Sequence, residues 1–336
     1  MEVHVVETNA VVPAVVDRGL ARVIGTTTNQ TYRVGQAIAT SRLRSNYVLK
    51  EIGKTPVDAI VAIAGSQDIA FLPPGVPVLQ VTDATPAAIA DFYPIFTGVH
   101  PISRWQAEVV DSRARIRTSA FSVATSWAQE SLVGHYGVAV DTIKVLPFGP
   151  GIESEGRVCH YDGGVLKVLV VASDWIRKGG AAALKAAALA RAGGLSLELT
   201  IVGDSPSDLP EWAHAVGGVD RARMSELYAA HHVLLEMARA NAGGVTLTDA
   251  HAHGLPVIAT STGGTASIVA DGRTGYLVEG GLVGIGAAAA ALAAISEPEL
   301  WSSFSRAAVQ RSRSSLNWDV WADNVVAMCR GLLPRG

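Results

Sequence analysis

Short apolar runs recur along the chain, separated by stretches in which apolar positions return every three or four residues. The runs suit strands buried on both faces, and the three-to-four spacing suits helices laid over them. In the first half the strand candidates are residues 3–7, 59–64, 78–82, 120–124 and 143–147. Helical stretches fall at 32–52, in parts of 86–113 and at 127–136, where Ser126 is placed to cap the last. Residues 147–156 (PFGPGIESEG) break the pattern with proline, glycine and polar side chains. The alternation then restarts, with strands expected at 166–172, 196–202, 233–237, 256–260 and 275–278 and helices at 179–192, 224–231, 244–253 and 282–295. Such alternation predicts α/β architecture: two Rossmann-like domains with parallel sheets facing a cleft. The domain limits read as 1–149 and 158–316, followed by an amphipathic terminal helix, 317–333.

The opening unit departs from this plan. Residues 2–8 run into Asn-Ala-Val-Val-Pro, and the first glycine is Gly19, whereas a Rossmann half opens on a strand and a glycine-bearing turn. Either the first strand–turn–helix unit is absent or the chain begins late. Neither half has G-x-G-x-x-G after its first strand, which disfavours a dinucleotide-dependent dehydrogenase.

Composition narrows the class. The chain has 336 residues, 49% hydrophobic and 17% charged, and a net charge of −3, without the basic stripe of a nucleic-acid binder. Two cysteines, Cys159 and Cys329, give no disulfide framework, and a cytoplasmic location is expected. The N-terminus lacks a signal-peptide pattern, and the Ala/Gly-rich run at 280–295 is too weakly apolar for a membrane span. Trp301, Trp318 and Trp321 on the terminal helical stretch read as packing anchors rather than sugar platforms.

The stretch at 233–264, VLLEMARANAGGVTLTDAHAHGLPVIATSTGG, carries the chemistry. Gly243 and Gly244 sit where a loop enters a helix. Glycine there admits a ligand to the backbone, where free amides and the positive dipole end favour a phosphate. Asn241 precedes the turn and Asp249 lies within the helix. At 172–180 (ASDWIRKGG), Arg177 and Lys178 stand at a strand-to-helix turn, where cations work against the dipole and point to anion binding. Gly263 and Gly264 read as a second nest or a tight turn, and Asp83 as a ligand contact or a cap. His251 and His253, two apart, cannot share a helix face, so no metal pair is expected. His231 and His232 read as helix-end caps with partial positive charge.

These motifs resemble the retaining GT-B glycosyltransferases of family 4, in a bacterial branch with an altered two-glutamate motif. The matching pieces are DWIRKGG (174–180), LTIVG (199–203), LY (227–228), ARANAGGVTLTDAHAHGLPVIATSTGG (238–264) and IVADGRTGYLVEG (268–280). VTDATPAAIADFYPIF (81–96), VLPFG (145–149) and NWDVW (317–321) extend the likeness, and the last implies that the terminal helix, 317–333, packs back on the first domain. The resemblance implies transfer of a sugar from a nucleoside diphosphate sugar to an acceptor hydroxyl, with retention and without metal or other cofactor. It implies Lys178 and Arg177 on the diphosphate, with Gly243, Gly244, Val245 and Thr246 offering amides to the same group. Asp249 falls on the second glutamate, which grips the ribose. Asn241 falls on the first, which supports the sugar, and Asp83 stands near a first-domain contact to that sugar. The implied partners are the donor and an unidentified acceptor, whether small molecule, glycan or lipid.

Three residues depart from the family: Asn241 and Asp249 replace glutamates, and Ser173 replaces an arginine. They motivate a second reading, a catalytically silent homologue that binds nucleotide sugar or a partner. A sugar-nucleotide epimerase on the same scaffold is a weaker third.

Overall fold

The computed structural model describes residues 2–154 and 159–334. Residues 155–158, which hold the last two positions of the expected linker and the expected start of the second domain, lie outside the described residues. The chain forms two compact units. One comprises the residues up to Ala124, Ala128–Val145 and those from Asn324 onward; the other comprises Thr125–Trp127 and Leu146–Asp323. The switch after Val145 falls four residues before the expected limit at 149.

In the first unit four strands, β1 (Ile60–Ile63), β2 (Val78–Thr82), β3 (Ala120–Val123) and β4 (Ile143–Val145), form a parallel sheet in the order β1-β2-β3-β4. Its helices are α1 (Val15–Thr27), α2 (Ile38–Lys54), α3 (Ser66–Ile69), α4 (Pro86–Ile89), α5 (Pro101–Arg117) and α6 (Ser126–Tyr136) from Ala128 onward. α6 begins at Ser126 itself, so that residue is its first member rather than its cap. Residues 3–7 are irregular, not a strand: Val3 and Val5 remain exposed and only Val6 packs on the core around Val48, Ile60 and Ile69. Pairing without such burial brings little stability. The pattern also missed α1, which is tied down by one buried carboxylate. Asp17 accepts from Tyr32 Oη (3.1 Å), Thr40 N (2.9 Å) and Thr40 Oγ1 (2.7 Å). The helix expected from residue 32 starts at Ile38, after a 3-10 turn at Val34–Gln36.

The second unit holds β5 (Leu166–Ala172), β6 (Leu197–Gly203), β7 (Ala213–Gly217), β8 (Val233–Glu236), β9 (Val257–Thr260) and β10 (Gly275–Val278), all parallel, in the order β10-β9-β8-β5-β6-β7. Between and after them run α7 (Gly180–Ala192), α8 (Arg221–Ala230), α9 (Val245–Ala252), α10 (Thr265–Ile268), α11 (Gly281–Ile295), α12 (Pro298–Ser315) and α13 (Trp318–Leu332). β7 was not expected because only Ala213 of its five residues is buried; it is an edge strand with no apolar run to announce it. β8 and β9 are buried at every position, as a central parallel strand requires.

Alanines 183, 186, 187 and 190 of α7 pack against β5 and β6 beside Ala288 and Leu292 of α11. The tryptophans pack: Trp301 Nε1 donates to His232 O at 2.8 Å, and Trp318 stacks on Phe148 and donates to Pro150 O at 2.8 Å. α13 passes into the first unit at Asn324, whose Oδ1 receives Lys144 Nζ at 2.6 Å. Among the described residues no single helix is long and apolar enough to cross a membrane.

Candidate functional site

In the second unit the chain builds outward from β5, through β6 and β7 to one side and β8, β9 and β10 to the other. The direction therefore reverses between β5 and β8. In open parallel sheets this switch point, at the carboxyl ends of the strands, is where ligands bind. The turn after β5 carries Arg177 and Lys178, and the loop after β8 carries Asn241, Gly243 and Gly244.

Two close approaches hold these loops together. Gly179 has φ 68°, and a Cβ on it would lie 1.7 Å from Met237 O. Arg239 N donates to Arg177 O at 2.8 Å, locking the same two loops by their backbones. Gly244, the N-cap of α9, has φ 67° and packs on Ile268. Glycine alone meets both demands without strain.

Lys178 is buried, yet its ammonium reaches across the switch point, 3.4 Å from Thr246 Oγ1 on the first turn of α9. Its counter-ion is Glu236, the last residue of β8: Nζ to Oε2 is 3.0 Å, and the carboxylate is 2% exposed. Glu236 Oε1 accepts from Asn241 Nδ2, and Asn241 Oδ1 accepts from Gly244 N at 3.0 Å. A continuous polar chain thus runs from lysine to carboxylate to amide to the start of α9. The Gly244 amide, expected to face a ligand, is engaged by Asn241, and both Gly243 and Gly244 are buried. Val245 is exposed and Thr246 half-buried, so the accessible end of α9 lies at these two residues. Arg177 is half-buried with Nε 3.4 Å from Asp174 Oδ2, and its amide donates to Asp174 Oδ1 at 3.0 Å.

Asp249 bonds to a different set of groups. Its Oδ1 accepts from Gly151 N (2.6 Å) and Ile152 N (2.9 Å), and its Oδ2 from Tyr228 Oη (3.5 Å). Burial pushes its carboxyl up to about 6, against the opposing pull of those amides. Arg221 donates to Gly151 O, and Ser225 Oγ lies 3.2 Å from both Glu153 O and His253 Nε2. The residue expected to grip a ribose therefore also anchors the segment 151–153 on α8 and α9.

The histidines are structural. His251 Nδ1 and His253 Nδ1 each meet the carbonyl four residues earlier, at 2.8 Å. His231, expected to carry partial positive charge at the end of α8, instead has its pKa lowered by burial, and burial brings His232 to about 4. Desolvation outweighs the helix dipole at both positions. Asp83 follows β2 in the first unit, and burial raises its carboxyl. It does not cap α4; that cap is Thr85, whose Oγ1 accepts from Ala88 N at 3.2 Å.

Glu236 was not anticipated. The only signal for it was a charged side chain inside an otherwise apolar strand, a position where burial demands a partner. Gly263 and Gly264 form a turn whose Gly264 amide donates to Asn241 O at 2.9 Å, fixing the loop after β9 on the loop after β8.

Residues 166–297 match the family model described as Glycosyl transferases group 1. The chain is 28% identical over 195 residues to a D-inositol 3-phosphate glycosyltransferase of Pseudarthrobacter chlorophenolicus, a match covering 51% of this chain and 45% of that protein. The chain thus spans less than half of that relative's length. In fold it is similar to sucrose-phosphate synthase from Thermosynechococcus elongatus, with a TM-score of 0.68 at 16% identity over 87% of this chain and 78% of the other. HepE from Anabaena, solved with UDP and glucose, gives 0.64 at 14% identity over 85% and 82%. The fold is α/β of the GT-B kind.

Proposed function

We propose, because residues 166–297 match the family model described as Glycosyl transferases group 1, that this protein moves a sugar from a nucleoside diphosphate sugar to an acceptor hydroxyl, with retention of configuration. One observation carries the reading: the Lys178 ammonium stands 3.4 Å from Thr246 Oγ1, at the start of α9 and at the switch point of the sheet. A cation and a helix N-terminus converging there provide for a diphosphate whose charge grows as the glycosidic bond breaks. Lys178, Arg177 and the first amides of α9 supply that positive charge, so the reaction is written without a metal. Among the described residues no side chain stands out as a nucleophile, and the reading takes departure and attack on one face through an oxocarbenium-like transition state. Asp249 takes the ribose hydroxyls and Asn241 the sugar. HepE's complex with UDP and glucose supports the donor class.

The test is a hydrolysis and transfer assay over a panel of nucleotide sugars, with binding followed by calorimetry. Release of nucleoside diphosphate from one donor, abolished in Lys178→Met, is the expected result. Failure of every donor to bind would sink the reading. Asn241, where the family carries a glutamate, favours a second one in which the pocket binds a nucleotide sugar without turnover; wild type that binds but transfers nothing, with Asn241→Glu gaining activity, would establish it.

A further inference from the structure

Glu236 has no part in the function as drawn so far, yet it is the most buried charge in the site, 2% exposed and touching both residues that matter most. A carboxylate is not held there without cause, because desolvating it is costly unless partners compensate. Its partners are the lysine that is to meet the donor diphosphate and the amide side chain that is to meet the sugar. The family's first glutamate would project a carboxylate from position 241. Here position 241 is neutral, and the carboxylate arrives from five residues earlier and contacts Asn241 itself.

We propose that Glu236 is a positioning residue and the internal rival of the donor diphosphate. With no donor bound it neutralises Lys178 and orients Asn241 toward the Gly244 amide. When a diphosphate binds, the Lys178 ammonium turns toward the phosphate oxygens and Glu236 retains Asn241. The inference rests on the donor-site reading above. A diphosphate near Glu236 meets a like charge as well as the lysine, so the carboxylate weakens ground-state binding of the anion. That weakening limits how tightly the diphosphate product is held. Glu236→Gln has the same shape, keeps an oxygen for Asn241, and removes both the rival charge and the acceptor facing Lys178.

The experiment is calorimetric titration with inorganic pyrophosphate and with UDP, GDP and ADP, at fixed ionic strength, on wild type, Glu236→Gln, Lys178→Met and the double variant. Pyrophosphate reads the diphosphate subsite without a base. Glu236→Gln is expected to bind about tenfold more tightly than wild type, and the gain is expected to vanish when Lys178 is also replaced. In transfer assays its donor KM falls and kcat falls with it, whereas a merely structural role would leave KM unchanged. Wild type that binds a diphosphate with no gain in Glu236→Gln overturns the inference alone. If neither binds any of the probes, the donor-site reading falls and takes this one with it. Should Glu236→Gln fail to fold, a wild-type crystal soaked with the tightest-binding diphosphate decides: Lys178 Nζ on a phosphate oxygen and beyond hydrogen-bond reach of Glu236 supports the inference. Nζ still at its 3.0 Å separation, with no phosphate contact, overturns it.

Discussion

At the scale of single residues, the buried pair Lys178–Glu236 makes a statement about stability as well as binding. Both side chains are largely withdrawn from water, 9% and 2% exposed, so each depends on the other for charge compensation. Removing one member of such a pair strands the other and typically costs about 3–5 kcal/mol, whereas removing both charges together costs far less. Lys178→Met is therefore expected to lower the unfolding free energy by about 3 kcal/mol, and Lys178→Met/Glu236→Gln to recover most of that. Urea melts of wild type and the two variants check it, and a double variant no more stable than the single would contradict the pairing. Lys178 and Asn241 were legible in the sequence because glycine-flanked turns announce them. Glu236 was not, since a carboxylate ending an apolar strand belongs to no motif and acquires meaning only when Lys178 Nζ is found 3.0 Å away. Nor could the sequence pair Asp249 with the Gly151 and Ile152 amides, about a hundred positions earlier.

Among the elements, what positions the site is the mutual support of the loops after β5, β8 and β9. β5, β8 and β9 were readable as uninterrupted apolar runs, while β7 and α1 were not: one is an edge strand with a single buried residue, the other is held by Asp17 and by a short stripe of Leu20, Ala21 and Ile24 on a small cluster with Tyr32 and Ala37. Two glycines separate conformational from steric constraint. Gly244→Ala places a Cβ 2.9 Å from Ile268 Cγ1, so a buried side chain must shift, in addition to the cost of a left-handed backbone, about 1 kcal/mol. Gly179→Ala has the same backbone cost but drives a Cβ to 1.7 Å from Met237 O, which cannot yield without parting the loops that carry Lys178 and Asn241. Gly179→Ala is expected to destabilise by at least about 3 kcal/mol and to abolish diphosphate binding; Gly244→Ala should lose about 1–2 kcal/mol and retain binding in part. Equal losses in denaturant melts would refute this ranking.

For the molecule as a whole, buried titratable groups of opposite kind set how stability follows pH, and two of them lie in one helix. His251 is fully buried and burial lowers its pKa to about 4, below the ordinary 6.5; Asp249, two residues earlier, is raised to about 6 from 3.8. Between pH 6.5 and 4 the unfolded chain protonates His251 and the folded one does not, so this histidine's contribution is present at neutral pH and drains away as pH falls. Between pH 3.8 and 6 the folded chain holds a proton on Asp249 that the unfolded chain releases, so that contribution is present in acid and drains away as pH rises. The two slopes oppose one another across the same window, so each partly masks the other in wild type. Replacing either group exposes the other. Relative to wild type, His251→Phe should gain about 3 kcal/mol on going from pH 7 to pH 4, since each pKa unit is worth about 1.4 kcal/mol. Asp249→Asn keeps an oxygen for the Gly151 and Ile152 amides, and should gain about 3 kcal/mol relative to wild type over the reverse change, from pH 4 to pH 7. Denaturant midpoints of the second unit, followed through the buried Trp301 at half-unit pH steps, read both differences. Parallel curves for the two variants, rather than curves that diverge with opposite sign, would show that burial in α9 does not control these protons.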